Sequence, residues 1–121
     1  MKKVILVADD SPTIRKFVTV ALNILGYEVV SVADGMEAVE KLPSHKIDLV
    51  ITDLNMPNMD GFELIKTIRD SEQYKDLPVI ILSSLAGSQE IERGMKSGAN
   101  SYLVKPFDPK RLQYEVSKYI S

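Results

Sequence analysis

Short apolar runs alternate with amphipathic stretches five times along the chain. The first run is Val4-Ile5-Leu6-Val7-Ala8. Ser11 follows as a candidate N-cap, with Pro12 at the first helical position, where its missing N–H costs nothing. Ile14, Phe17, Val18, Ala21, Leu22 and Leu25 then fall on one helical face, and Gly26 suits the left-handed position that ends a helix. The second run spans residues 29–33. Asp34 caps a short helix carrying Ala38, Val39 and Leu42, which Pro43 stops. The third run, residues 47–52, ends in Asp53. The loop Asn55-Met56-Pro57-Asn58-Met59-Asp60-Gly61 leads into a helix with Leu64, Ile65 and Ile68 inward. The fourth run, residues 79–82, ends in Ser83-Ser84, and a helix around residues 90–96 follows, ended by Gly98. The fifth, Tyr102-Leu103-Val104, ends in Lys105-Pro106. Asp108-Pro109 repeats the cap-then-proline signature before a helix marked by Leu112, Val116 and Ile120.

The first, third and fourth runs are apolar almost throughout, the pattern of strands buried on both faces of a parallel sheet. Strands alternating with helices imply right-handed crossovers and a doubly wound α/β fold with a five-stranded parallel sheet. At 121 residues the chain is expected to be one domain, spanning residues 1–121. Ligands of such sheets sit beyond the carboxyl ends of the strands.

Those ends carry the polar chemistry. Strand one ends in Asp9-Asp10, strand three in Asp53, strand four in Ser83-Ser84 and strand five in Lys105. In a parallel sheet these ends share one edge and converge on one crevice. Three carboxylates there repel one another: at about 4 Å and an effective dielectric near 20, each pair costs on the order of 4 kcal/mol. A bound cation relieves this, and oxygen-only donors favour a hard one such as Mg²⁺. Lys105 adds a fixed positive charge for an incoming anion, and the Ser83 hydroxyl can bond a phosphoryl oxygen. Together these groups suit phosphoryl transfer.

Composition narrows the chemistry further. The chain has no Cys and one His, which removes disulfides, thiolate sites and Cys nucleophiles and disfavours a His-rich zinc site or a Ser-His-Asp triad. A net charge of −2 argues against nucleic acid as a partner. No apolar run approaches the roughly 18 residues of a membrane span, and the stretch after Met1-Lys2-Lys3 is too short for a signal peptide, so no membrane insertion and a cytoplasmic location are expected.

The ordered set V-A-D-D-S, I-T-D-L-N-M-P-N-M-D-G, I-L-S-S and Y-L-V-K-P-F resembles the receiver domain of two-component response regulators, over essentially the whole chain. The resemblance implies a (βα)5 flavodoxin-like fold with strand order 2-1-3-4-5. It implies that Asp53 is the phosphoacceptor, taking its group from the histidine of a kinase or a histidine phosphotransfer domain. Asp10 would bind Mg²⁺ directly and Asp9 would assist. Asp53 and the Asn55 backbone carbonyl would complete the set, with Mn²⁺ able to substitute. Ser83 would be the hydroxyl that closes on the phosphoryl group; the family more often has Thr there. Lys105 would pair with phosphoryl oxygen, Lys105-Pro106 would be a cis peptide, and Tyr102 would be the aromatic that turns inward on activation. The last two helices and strand five would present the output. The expected protein is a monomeric, stand-alone response regulator that switches protein–protein binding. It would most readily serve as a chemotaxis messenger to a flagellar motor, with a phosphorelay intermediate or a receiver excised from a hybrid kinase as the alternative. An external phosphatase is a further expected partner.

Other residues read as ordinary. Ser84 competes with Ser83 for the switch role, and Ser83 is preferred because it ends the fourth apolar run. Met56 and Met59 read as loop packing, Lys110-Arg111 as a solvated pair, and His45 as a solvated loop residue at the amino edge of the sheet. Two other functions fit the fold class. An Asp-nucleophile phosphohydrolase would need an acid two residues after the nucleophile, where Asn55 stands. A flavin module would place hydroxyl and Gly residues after strand one, where Asp9-Asp10 would repel phosphate. Asn55 and Leu85 flank the expected water path to Asp53, and neither is an acid or base, so slow self-dephosphorylation is expected.

Overall fold

The computed structural model describes residues 2–121. Five strands, β1 (Val4–Ala8), β2 (Glu28–Val32), β3 (Leu49–Thr52), β4 (Val79–Ser83) and β5 (Ser101–Val104), alternate with five helices. The helices are α1 (Pro12–Asn23), α2 (Gly35–Lys41), α3 (Gly61–Arg69), α4 (Ser88–Lys96) and α5 (Pro109–Ser117). All strand pairs are parallel, in the order β2-β1-β3-β4-β5. The register pairs Ala8 with Thr52 and Ser83 with Val104, which brings the carboxyl ends of β1, β3, β4 and β5 to one level.

Successive strand residues face opposite sides, so each central strand feeds two cores. Leu6, Ala8, Val50 and Ile81 pack with Ala38 of α2 and with Leu64, Ile65 and Ile68 of α3. Ile5, Val7, Leu49, Ile51 and Leu82 pack with Val18 and Leu22 of α1 and with Leu112 and Val116 of α5. This double burial explains the unbroken apolar runs of β1, β3 and β4.

Three caps lie where the polar pattern places them, and the structure adds a fourth at Asp60. Ser11, Asp34 and Asp108 accept from Ile14 N, Glu37 N and Arg111 N, and Asp60 forms a reciprocal capping box with Glu63. Gly26 and Gly98 take φ of 90° and 118°, conformations that suit glycine.

Several boundaries depart from the apolar pattern. Helix α1 ends at Asn23, so Leu25 leaves the inward face and is 49% exposed; Phe17 lies on its rim at 38%. Ile47 is buried but precedes β3; at Asp48 the amide donates to Val4 O and the side-chain Oδ2 accepts from Val4 N, both at 2.8 Å. Pro43 does not stop the chain's coiling at once but sits inside a one-turn 3₁₀ helix, Leu42–Ser44. Ile120 lies beyond the end of α5 and still packs on the α1/α5 core.

His45 corrects its reading as a solvated residue. Its ring is half-buried, and Nδ1 is enclosed without a hydrogen-bond partner. It lines a cleft of about 600 Å³ between residues 42–48 and 73–78. That cleft is at the amino edge of the sheet, opposite the converging carboxylates.

Candidate functional site

The edge formed by the carboxyl ends of β1, β3 and β5 gathers the charged groups. The Asp53 amide donates to Ala8 O at 2.9 Å, which extends the β1–β3 ladder and fixes Asp53 beside Asp9. Carboxylate oxygens of Asp9, Asp10 and Asp53 all lie within 4.8 Å of one another. Asp9 is 1% exposed and fully engaged: Oδ1 accepts from Ser11 N at 2.9 Å, and Oδ2 from Lys105 Nζ at 2.8 Å. Asp10 is exposed. Asp53 Oδ1 accepts from Leu54 N at 2.7 Å, and Oδ2 from Lys105 Nζ at 3.3 Å.

Lys105 therefore bridges two acids from two different strands. Its side chain is 17% exposed. The Lys105-Pro106 peptide is cis. Below it, β5 is tied to α5 by a buried contact of Ser101 Oγ with Glu115 Oε1 at 3.0 Å.

Charge and burial oppose each other at this edge. Burial pushes the Asp53 carboxyl up from its ordinary pKa; Lys105 opposes this, and the Asp9 charge adds to it, leaving the net shift upward. For Lys105, burial favours the neutral form, but the bond it donates to Asp9 and the charge of Asp53 outweigh it and raise the ammonium's pKa. Both shifts run upward, and the ammonium is held charged between the two acids.

Ser83 and Tyr102 meet at the β4–α4 loop. Ser83 is buried, and its Oγ accepts from Leu85 N at 3.1 Å. Ser84 is exposed and faces an apolar recess with Ile14, Phe17, Lys105, Pro106 and Phe107. Tyr102 Oη donates to Leu85 O at 2.7 Å. Leu85 thus links the Ser83 hydroxyl to the Tyr102 hydroxyl through its two backbone groups. The Tyr102 ring lies where α4 has Gly94; a Cβ there would come within 2.9 Å of the ring.

Asn55 is exposed on the β3–α3 loop. Met56 and Met59 pack against the α2/α3 core. The structure thus brings Asp9, Asp10, Asp53 and Lys105 together, with Asn55 on the loop that follows Asp53. The Ser83 hydroxyl points its bond at its own loop. Two groups had no sequence signal as site neighbours. Arg15 donates from Nη1 to the Asp9 carbonyl at 2.6 Å, and Asn58 bonds Asp34 across the fold at 2.7 Å.

The donor set fits a hard divalent cation. Three carboxylates offer oxygen atoms at one edge, and among the described residues no histidine or cysteine joins the cluster.

The fold and site together are a doubly wound parallel sheet with three carboxylates and a bridging lysine at its carboxyl edge. The chain belongs to the response regulator receiver domain family, whose model matches residues 5–117. It is 41% identical over 111 residues to the chemotaxis protein CheY1 of Helicobacter pylori, covering 90% of each chain. The chemotaxis response regulator CheY4 of Vibrio cholerae superposes with a TM-score of 0.92 at 38% identity, over 99% of this chain and 100% of that one. The receiver domain of the sensor histidine kinase PA1611 of Pseudomonas aeruginosa superposes with a TM-score of 0.90 at 32% identity, over 99% and 98%. That structure holds a magnesium ion coordinated in its active-site cleft. The chain is a CheY-like receiver of two-component signalling, a signalling module rather than a classical enzyme.

Proposed function

We propose that residues 1–121 form a single, monomeric, cytoplasmic receiver that accepts a phosphoryl group on Asp53 and switches protein binding in response. The observation that carries this reading is the Lys105 ammonium held between Asp9 and Asp53 at the acidic edge. The donor is the phosphohistidine of a kinase or a histidine phosphotransfer domain. An Asp53 carboxylate oxygen bonds to phosphorus as the donor's P–N bond breaks, and that electron pair leaves with the imidazole, which takes up one proton. Lys105 shifts its hydrogen bonds from carboxylate to phosphoryl oxygen. Asp9, Asp10, Asp53 and the Asn55 carbonyl hold Mg²⁺, or Mn²⁺ in its place. When bound, the ion neutralises charge on the phosphoryl oxygens. Ser83 Oγ leaves the Leu85 amide to bond the phosphoryl group. That move releases Leu85 and, through its carbonyl, Tyr102, so the signal reaches α4 and β5.

The similarity to chemotaxis receivers favours a messenger that binds a flagellar motor or an equivalent target. A relay role is the second reading, favoured by the comparable match to a receiver within a sensor kinase. The two separate experimentally: a messenger binds its target more tightly when phosphorylated, and a relay protein passes its phosphoryl group to a second histidine.

Offering the protein acetyl phosphate and p-nitrophenyl phosphate side by side tests the chemistry. The expected result is one phosphoryl group gained from the acyl phosphate and no sustained release of p-nitrophenol. Steady turnover of the monoester would make the chain a phosphohydrolase instead.

Lifetime gives a further prediction. Leu85 and Asn55 are both exposed beside the site and lack acid–base groups. Leu85→Glu adds an acceptor that can orient an attacking water, so the phosphorylated half-life should fall several-fold. A half-life equal to wild type, followed by decay of the phosphorylated mass, would remove Leu85 from the water path.

A further inference from the structure

The β3–α3 loop carries Asn55 and is gripped on both sides of it. At the strand end, the Gly61 amide donates to Leu54 O at 2.9 Å. On the other side the first turn of α2 holds the loop. The Gly35 amide donates to Met59 O at 3.0 Å, and a Cβ on Gly35 would come within 2.7 Å of Met59. Beside it Asp34, 6% exposed, divides its two oxygens. Oδ1 accepts from Glu37 N at 2.9 Å, and Oδ2 accepts from Asn58 Nδ2 at 2.7 Å.

The first of these bonds is helix capping, which a serine could perform as well. Capping has no use for the second. It crosses 24 residues of sequence and ends on the loop three residues beyond Asn55. Asn58 itself sits at φ 65°, in the left-handed region that asparagine tolerates better than most residues. Its backbone conformation and its side-chain bond are thus two separate contributions to the loop's shape. The Glu37 amide first, and Asn58 next, hold the Asp34 carboxyl below the ordinary carboxylate range, so the contact is charge-assisted at neutral pH. A main-chain carbonyl makes a good metal ligand only where its backbone is already in place, since ordering it on binding costs free energy.

We propose that Asp34 and Asn58 are positioning residues that clamp the 55–60 loop to α2 and so preorganise the Asn55 carbonyl for the divalent cation. The proposal rests on the reading that Asp9, Asp10, Asp53 and the Asn55 carbonyl hold Mg²⁺.

Two variants cut this bond from opposite ends while preserving each residue's other task. Asp34→Ser keeps a cap oxygen for Glu37 N, and Asn58→Gly keeps the left-handed backbone. The full chain and the variants are titrated with Mg²⁺ by calorimetry, and amide exchange at residues 55, 56, 58 and 59 is followed without metal. Each single variant should bind Mg²⁺ about 10-fold more weakly, as expected for loss of an outer-shell support, and should exchange those amides faster. The double variant should be no weaker than either single, because all three lack the same bond. Wild-type affinity in both variants, or single losses that add in the double, would overturn the clamp. A wild-type chain that binds no Mg²⁺ would instead overturn the metal reading; the exchange rates would still report whether the bond holds the loop.

Discussion

Replacing Lys105 by methionine should move two observables in opposite directions. Mg²⁺ should bind about 10-fold more tightly, because a fixed positive charge leaves the ligand cluster. Phosphoryl transfer to Asp53 should slow by about 100-fold or more, because the donor that meets the incoming phosphoryl oxygen is gone. Both expectations rest on one ammonium that contacts Asp9 at 2.8 Å and Asp53 at 3.3 Å and is mostly shielded from water. Methionine retains much of the stem's apolar packing while removing the charge. Calorimetric Mg²⁺ titration and the rate of mass gain at saturating Mg²⁺ measure the two effects separately. If phosphorylation slows only because Mg²⁺ binding weakens, Lys105 acts through the metal site, not on the phosphoryl group.

Gly61→Ala should have the largest effect on stability. A Cβ at this position would overlap the Asp53 carbonyl oxygen and lie 2.9 Å from Leu54 Cα. Both neighbours are backbone at the end of β3, so relief requires moving the chain that carries Asp53. The helix start offers no slack either, since the capping box of Asp60 and Glu63 fixes it. The expected cost is about 3 kcal/mol or more, read as a lower urea midpoint with an unchanged slope. A variant with wild-type stability and wild-type phosphorylation would show that the β3–α3 junction is not tightly packed.

The strand ends explain why so much of the site can be read from the chain. Parallel pairing places every carboxyl end on one edge, so Asp9, Asp10, Asp53 and Lys105 converge once their strands are near neighbours, and the structure brings them together. The order β2-β1-β3-β4-β5 was accessible only through family resemblance, because hydrophobic periodicity says nothing about which strands are neighbours. Caps at Ser11, Asp34 and Asp108 were equally legible, since each acts within three residues of itself, whereas the Asp60 capping box went unread within the loop before α3.

What the chain hides is contact over distance. Asp34 reads as a cap and Asn58 as a turn residue; nothing in their spacing announces the bond between them. The Ser83 hydroxyl reads as facing the site, but its bond goes to Leu85 N, a choice set by loop conformation. Leu25 fits the helical period of α1, yet period alone does not mark a helix that ends at Asn23. His45 reads as solvated because turn residues usually are, and its half-buried place beside the 73–78 segment is a long-range feature that local sequence does not announce.

The most direct measurement is intact mass after incubation with acetyl phosphate, with and without Mg²⁺, beside Asp53→Asn. The carboxylate cluster and the bridging lysine predict a gain of one phosphoryl group that needs Mg²⁺ and is absent in Asp53→Asn. No gain in folded wild-type protein, or an equal gain in Asp53→Asn, would contradict Asp53 as the acceptor.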